Sequence, residues 1–499
     1  MFTQVILQLI FIAVLARLIS KEAFGVMAIA LVVVGFIEIF SQIGIGPALI
    51  QRKNPTPAHI SAAFCISVAL GVVFTILMYL LAPMVANFYN HPPLIQVLRV
   101  IGLSFLISSI AIVPKSLIIK EMAFKRLFIA ALCAMSIGNI LIGIGMAYMG
   151  FDLWAYVAAL LSQNLIMMVF YWFFKPIKVN EKWDWKVAKE LVAYGGGSTL
   201  FNFFNFAATK IDTLIVGGLS SPTGLTEINL DPGTEAIEGS DRWAITGIYD
   251  RSVYLMGLPI TVLGKLSDSV MFSGLSILQD DLKKLQRAVL SAVYHISLLV
   301  IPGTVFLLFF TREITVLFLG DKYEAAVPIV NILFISVIFR SLIKIGDAVV
   351  RAVKTTYLYV ASGIKIIFFL LVAVGTYFGY DYGLQGVAWG LVSAVFLQFI
   401  MMGFLNLRIL KMGMGRTIKK IIPGAIAGTI VTLASYLSIL ILGSTELLLL
   451  RAIVGGICCL IFLLLAAIAV PWMFKQGNDN LLKTIAEKAP IIFIKNRWK

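Results

Sequence analysis

Charged side chains interrupt several long apolar runs of this sequence, and their types and spacing define the chemistry that the chain can offer. Arg340, Lys344 and Asp347 are spaced i, i+4 and i+7, so a helix would place them on one face. Lys365 falls near the middle of the next apolar run, with no acidic residue three or four positions away. An ionisable group inside a membrane helix costs about 2.5 to 3.5 kcal/mol, so it persists mainly where it faces a cavity, a partner or a substrate. Guanidinium and ammonium groups in such a place suit an anion, phosphate above all.

Two further cations and two carboxylates belong to the same set. Lys210 and Arg251 lie in apolar runs and are candidate substrate-binding residues, together with Arg340, Lys344 and Lys365. Glu38, about halfway along the apolar run 25–49, and Asp212 are candidates for ion or proton coupling, or are structural hydrogen-bonding groups. The alternative for the cations is internal pairing, because charges inside membranes commonly neutralise one another. Lys344 with Asp347, and Lys210 with Asp212, are close enough in sequence to pair, and the residues alone leave both interpretations open.

Other chemistry is not indicated by the sequence. The three histidines stand far apart and the four cysteines fall in apolar runs, so neither a zinc spacing nor a disulfide framework is present. Gly264 and Lys265 are followed by Leu266, where a phosphate-binding loop requires Ser or Thr. We therefore expect no metal site, no cofactor and no catalytic residues.

The elements that carry the charges are apolar segments of a membrane protein. Of the 499 residues, 60% are hydrophobic and 13% are charged, with a mean hydropathy of +0.98. A soluble domain has about 25% charged residues. The net charge of +15 is attributed to basic cytoplasmic loops rather than to nucleic-acid binding, and no nucleic-acid partner is expected.

Apolar runs of about 20 residues are long enough to cross a hydrocarbon layer of roughly 30 Å. The predicted spans are 2–19, 25–49, 60–83, 94–114, 127–149, 153–174, 191–219, 244–271, 288–311, 326–349, 356–379, 386–407, 420–442 and 446–472. They predict an all-α polytopic membrane protein with 14 transmembrane helices, arranged as two six-helix lobes plus two C-terminal helices. The corresponding segments are an N-terminal lobe at 1–180, a second lobe at 181–412, helices 13 and 14 within 413–475, and a tail at 476–499.

Lys and Arg alternate in density from loop to loop, which predicts the orientation. The basic loops should remain cytoplasmic, whereas the intervening loops hold only Lys21, Arg242, Arg312 and Lys322. Both termini are therefore predicted to be cytoplasmic, with the protein in the inner membrane. The acidic segment 220–243 should be an irregular external loop, either a lid or a tolerated insertion.

Short matches between the two halves predict an internal repeat. Residues 25–27 align with 247–249 at an offset of 222, and Leu18 aligns with Leu219 at an offset of 201. The difference of 21 residues corresponds to the extra length of the acidic loop. Six spans separate the matching helices, so the copies should have the same orientation, as parallel repeats do. The second copy would begin after the basic, Trp-containing segment 182–189.

Six stretches carry a resemblance to a known family. They are LARLIS at 15–20, EAFG at 22–25, SQIGIGPALIQ at 41–51, WDW at 183–185, IDTLIVG at 211–217 and GIYDR at 247–251. Together they resemble the Wzx-type polysaccharide flippases, and more narrowly the WzxC-like lipopolysaccharide and exopolysaccharide exporters. These exporters belong to the multidrug/oligosaccharidyl-lipid/polysaccharide, or MATE-like, superfamily.

The resemblance implies a flippase that moves a polyprenyl-pyrophosphate-linked oligosaccharide, the repeat unit of lipopolysaccharide, O-antigen or exopolysaccharide. Two lobes would expose a cavity alternately to each side of the cytoplasmic membrane. The implied partners are an undecaprenyl-pyrophosphate-type oligosaccharide, membrane lipids, and polysaccharide polymerase and export machinery.

Three alternatives stay open. A multidrug or cation antiporter of the same superfamily should carry a net acidic cavity, which the basic excess argues against. A peptidoglycan precursor flippase shares the charge requirement and is separated only by the local resemblance. A membrane polysaccharide polymerase would need an acid-base set or a nucleophile at the membrane face, and loop 220–243 offers carboxylates without a histidine.

Overall fold

The computed structural model of the protein describes residues 2–42, 45–51, 56–177, 203, 205–218, 242–277, 281–352, 355–442 and 448–469. Three segments interpreted above lie outside the described residues: the basic segment 182–189, the acidic loop up to residue 241, and the tail 476–499.

The described residues form helices joined by short connections, and no strand occurs among them. The first helices are α1 Phe2–Leu18, α2 Lys21–Gln42, α3 Ile45–Gln51, α4 Pro57–Phe88, α5 Pro93–Ile101, α6 Leu103–Lys120, α7 Phe124–Ala134, α8 Gly145–Tyr148 and α9 Asp152–Phe174. A π-helical segment, Met135–Ile144, joins α7 to α8.

The second series of helices begins with the described part of α10 at 205–218. It continues with α11 Arg242–Ile277, α12 Leu282–Phe309, α13 Thr311–Leu319, α14 Val327–Ala352, α15 Thr355–Gly379, α16 Gly383–Leu410, α17 Met414–Leu442 and α18 Leu448–Ala469. Short 3-10 segments, Asp321–Ala326 and Tyr380–Tyr382, precede α14 and α16.

Many of these helices are long and apolar enough to cross a membrane. Within the described ranges there are nine such stretches, and one of them, Tyr359–Leu410, contains α16 and all of α15 except its first turn. The prediction of an all-α, polytopic membrane protein is therefore confirmed. The total of fourteen spans stays a prediction, because the predicted span 191–219 falls partly outside the described residues.

Two predicted spans contain more than one described helix. In the run 25–49 the structure describes α2 up to Gln42 and α3 from Ile45. The run 94–114 lies within one stretch that is long and apolar enough to cross a membrane, Pro93–Lys120, and Gly102 separates α5 from α6 inside it. The Thr75 hydroxyl of α4 donates a hydrogen bond to the Gly102 carbonyl at 3.2 Å, and an inserted side chain of this kind interrupts helical pairing.

The start of α2 is defined by a cap that the apolar pattern does not reveal. Ser20 Oγ accepts a hydrogen bond from Ala23 N at 3.1 Å, the contact expected of an N-cap serine. Asp152 at the start of α9 accepts from both the backbone nitrogen and the hydroxyl of Ser20, each at 2.7 Å. Lys322 Nζ donates to the carbonyl oxygen of Ile19. The turn between α1 and α2 is thus held by α9 and by the segment before α14.

Helices α2 and α11 cross at the residues that the internal repeat equates. A Cβ atom on Gly25 would lie 1.9 Å from the carbonyl oxygen of Trp243, and one on Gly247 would lie 2.1 Å from that of Lys21. Gly25 and Gly247 are 222 positions apart (247 − 25), and so are Lys21 and Trp243 (243 − 21). The contact is therefore reciprocal, as it is across a two-fold axis. This geometry supports the predicted duplication.

The chain divides into two compact units. The first unit comprises Met1–Arg251, Phe318–Ala326 and Phe369–Val387, and the second comprises Ser252–Leu317, Val327–Phe368 and Ala388–Lys499. The predicted lobe boundaries stay a prediction.

Each unit has an apolar core of its own. In the first, Ile29 of α2 and Leu98 of α5 are fully buried in a cluster that also includes residues of α4 and α9. In the second, Val289 of α12, Val349 of α14 and Met402 of α16 belong to one buried cluster. These two cores position the charged residues considered next.

Candidate functional site

The predicted cationic face lies on α14, in the second unit. Arg340, Lys344 and Asp347 are all half-buried, and the helix is continuous through them, so they share one face as their spacing predicts. Arg340 lies 13 residues from the first residue of α14, about 20 Å along its axis at 1.5 Å per residue. In a helix that starts at the edge of a hydrocarbon layer of about 30 Å, the backbone of this residue would be about two thirds of the way across.

Asp347 takes its partner from the neighbouring helix. Lys365 Nζ of α15 donates a hydrogen bond to Asp347 Oδ2 at 3.1 Å, and the side chains are 9% and 23% exposed, respectively. Asp347 thus pairs with Lys365 of another helix and not with Lys344, the alternative that the sequence left open. The sequence spacing failed here because the partners are 18 residues apart and become neighbours only when α14 and α15 pack.

Arg251 is enclosed in the first unit. Its guanidinium is paired with the carboxylate of its sequence neighbour, with Nε 3.0 Å from Asp250 Oδ2. The guanidinium carbon lies 4.4 Å from the centre of the Phe24 ring, which suits a cation–π contact. Phe24 in turn packs edge-on against Tyr156 and Tyr323, at centroid distances of 5.6 and 6.3 Å. Arg251 therefore holds parts of the first unit together, with only 4% of the residue exposed.

Asp212 of α10 is buried in a hydrogen-bonded position. Its Oδ2 accepts from the Tyr249 hydroxyl of α11 at 2.9 Å, and its Oδ1 accepts from Thr213 N at 2.8 Å. Lys210 is half-buried and, two positions earlier, points to a different side of the helix. Within the described residues, the Lys210–Asp212 ion pair that the sequence left open as an alternative is not formed.

Glu38 is half-buried in α2, four positions before Gln42. Phe36 and Phe40 on either side of it contact the ring of Phe203, at 5.5 and 5.4 Å between centroids. At the other end of the contact, Gly217 of α10 packs against Ile29. Helices α2 and α10 therefore run antiparallel, and Glu38 and Asp212 belong to the same helix pair.

The structure thus distributes the predicted residues over two units. The first unit holds Glu38, Lys210, Asp212 and Arg251, and the second holds Arg340, Lys344 and Lys365. Their predicted roles in substrate binding and coupling stay predictions.

The sequence did not indicate Tyr249 as the partner of Asp212, or the ring of Phe24 beneath Arg251. Nothing in their spacing relates these residues, since each contact joins distant parts of the chain.

A comparison with protein families matches the one described as polysaccharide biosynthesis protein, over residues 14–227 and 243–328. The chain is 23% identical to the teichuronic acid biosynthesis protein TuaB of Bacillus subtilis over 463 residues, covering 90% of this chain and 88% of that protein. It is 20% identical to the lipopolysaccharide biosynthesis protein WzxC of Escherichia coli over 336 residues, covering 67% and 64% of the two chains.

Among solved structures, the lipid II flippase MurJ in an inward closed conformation is similar to this chain. The TM-score is 0.69 at 15% sequence identity, and the match covers 94% of this chain and 98% of MurJ. This likeness establishes the fold.

Proposed function

The chain belongs to the family of polysaccharide biosynthesis proteins, and on that basis we propose that it is a flippase for a polyprenyl-pyrophosphate-linked oligosaccharide. The cargo is the repeat unit of a lipopolysaccharide, O-antigen or exopolysaccharide. It crosses the cytoplasmic membrane by alternating access, without cleavage of a bond. The names of the relatives and the fold shared with a lipid II flippase support this proposal.

The observation that carries the proposal is the cationic face of α14. Arg340 and Lys344 lie one turn apart, half-buried at bilayer depth, and Lys365 joins them through its pair with Asp347. Keeping such groups inside a membrane is costly, so they mark substrate pathways. A pyrophosphate has the charge and the acceptor oxygens that guanidinium and ammonium groups bind well.

The cationic face of α14 also helps to distinguish the alternative functions. A multidrug or cation antiporter would need to stabilise a positive substrate, which Arg340 and Lys344 would repel. A peptidoglycan precursor is also a polyprenyl pyrophosphate, so this face accepts it equally well. The family match favours the polysaccharide repeat unit.

We further propose that the protein lies in the inner membrane with both termini in the cytoplasm, where basic residues near the ends of membrane spans are retained. A polysaccharide polymerase and export machinery would take over the cargo on the outer side.

The test uses charge-removing variants in cells that depend on this chain for surface polysaccharide. Arg340→Gln and Lys344→Gln should each reduce the polysaccharide strongly, while lipid-linked repeat units accumulate on the inner leaflet. Lys115→Gln, an exposed lysine of α6, is the matched control and should behave like the wild type.

Two results would count against the proposal. Normal polysaccharide in both variants would remove the α14 face from the transport path. Accumulation of unpolymerised units on the outer leaflet would instead indicate a polymerase.

A further inference from the structure

The second unit contains an apolar cavity that the proposed transport path does not use. Its volume is about 280 Å³, and it lies among α12, α14, α16 and α17. Its walls include Val289, Ile345, Gly403, Leu407 and Ile418. The polar side chains among the lining residues are only Asn406 and Thr417, within the described part of the chain. A cavity with such walls is suited to a hydrocarbon chain.

The cavity has the depth of one membrane leaflet. Along α16 its lining extends from Phe399 to Leu410, the last residue of the helix, which is about 16 Å at 1.5 Å per residue. Half of a hydrocarbon core of about 30 Å is close to that length. At this end, Gln286 Nε2 of α12 donates to the Leu410 carbonyl at 2.7 Å, which joins the start of α12 to the end of α16. A single chain of one leaflet would therefore fill the cavity from this end.

Exposed basic residues stand beside the lining residues at the same end. They are Arg287, Arg408, Lys411, Arg416 and Lys419. Each is a near sequence neighbour of a lining residue: Lys411, for example, lies between Leu410 and Met412. None of the five forms an ion pair in the ranges that the structure describes. The nearby Asp281 is already paired with Lys284, at 2.9 Å.

We propose that this cavity is a binding site for an anionic phospholipid of the cytoplasmic leaflet. One acyl chain occupies the cavity, and the phosphate of the head group is held by the basic residues at its end. Clusters of Lys and Arg at the cytoplasmic ends of membrane helices attract anionic lipids by about 1 kcal/mol per residue. A polyprenyl chain is the less suitable occupant, because it is longer than the one-leaflet depth of the cavity. The site is separate from the α14 residues assigned to the cargo.

The test is native mass spectrometry of the full-length protein purified with equal amounts of dioleoyl phosphatidylglycerol and dioleoyl phosphatidylethanolamine. The wild type should retain more phosphatidylglycerol than phosphatidylethanolamine. Gly403→Leu should reduce retained phosphatidylglycerol to about a tenth or less, because the side chain fills the space that the acyl chain needs. A Cβ atom on Gly403 meets nothing within 4 Å, so the substitution enters open space.

The matched control is Gly303→Leu on α12. Its Cβ also meets nothing within 4 Å, and Gly303 does not line the cavity. This variant should retain phosphatidylglycerol as the wild type does.

The head-group contacts are tested separately with Arg416→Gln combined with Lys419→Gln. Loss of two basic residues should lower the preference for phosphatidylglycerol over phosphatidylethanolamine by about 30-fold. The control double variant, Lys115→Gln with Lys125→Gln, removes two exposed lysines of the first unit and should leave the preference unchanged.

Three outcomes would overturn the proposal. The first is wild-type retention of phosphatidylglycerol by Gly403→Leu, and the second is an unchanged lipid preference in the Arg416 and Lys419 double variant. Should Gly403→Leu fail to fold, that double variant alone decides. The third is displacement of phosphatidylglycerol by an equal amount of undecaprenyl phosphate, which would assign the cavity to the carrier lipid of the cargo. None of these results depends on whether the protein transports an oligosaccharide.

Discussion

Removal of Lys365 tests whether the Lys365–Asp347 pair stabilises the second unit. At 3.1 Å and an effective dielectric constant of 20, the attraction between the two charges is about 5 kcal/mol before desolvation is subtracted. Removing one member of a buried pair costs 3 to 5 kcal/mol, because the other charge remains buried without its partner. Asp347 is 23% exposed, so Lys365→Ala should cost about 3 kcal/mol, the lower end of that range.

The double variant separates the pair from its surroundings. Lys365→Ala with Asp347→Ala removes both charges together and should cost less than Lys365→Ala alone. The coupling energy of the double-mutant cycle should be about 2 kcal/mol, within the range for residues in contact. The measurement is reversible unfolding of the purified protein in mixed detergent micelles, followed for the wild type, both single variants and the double variant. Additive costs, in which the double variant loses as much stability as the two single variants together, would refute the pairing.

The same variants distinguish two roles of Lys365 in transport. If Lys365 contacts the cargo, polysaccharide export should be lost in both Lys365→Ala and the double variant. Restored export in the double variant would mean that Lys365 serves to neutralise Asp347. It would then be removed from the proposed substrate site, and Arg340 and Lys344 would remain there.

Two further predictions concern the first unit. Gly25→Ala should lower stability by about 3 kcal/mol or more, because a Cβ would lie 1.9 Å from the Trp243 carbonyl and force α2 away from α11. Gly303→Ala, with open space around its Cβ, should leave the thermal midpoint unchanged, and equal midpoints for the two variants would contradict the crossing. The pKa of His91 is lowered from about 6.5, first by burial and then by the charge of the adjoining arginine of α11. The unfolded chain therefore binds the proton more readily, so stability should be complete above pH 6.5 and fall as the pH decreases below it. His91→Gln should reduce this slope in thermal unfolding between pH 8 and 5.5, and an unchanged slope would exclude His91 as its source.

Periodicity and length predicted most of the helices, because a membrane helix must satisfy its backbone internally over a fixed thickness. What they did not predict are the interruptions. The separation of α5 from α6 at Gly102 involves Thr75 of α4, which is 27 residues away. The cap at Ser20 depends on Asp152, which is 132 residues away. Local composition carries no information about such contacts.

The contacts of the charged residues were likewise not predictable from local sequence. Their types and their places within apolar runs could be predicted from the sequence, because an ionisable residue stands out in an apolar run. Their partners could not be read, since Lys365 finds Asp347 on α14 and Asp212 finds Tyr249 on α11. Pairs at i+3 or i+4 are the ones that a sequence reveals, whereas these two contacts join residues 18 and 37 positions apart.

The candidate substrate-binding cations, which the sequence placed in one group, differ in how deeply they are buried in the protein. Arg251 is paired with Asp250 and lies against Phe24, so a phosphate would have to displace a carboxylate in a place without solvent. That exchange costs the desolvation of a second anion, which makes Arg251 better suited to holding the first unit together. Arg340 and Lys344 share one helical face and are only half-buried, unlike Arg251. A transporter must release its cargo as well as bind it, and cations of this partly exposed kind meet both requirements better than enclosed ones.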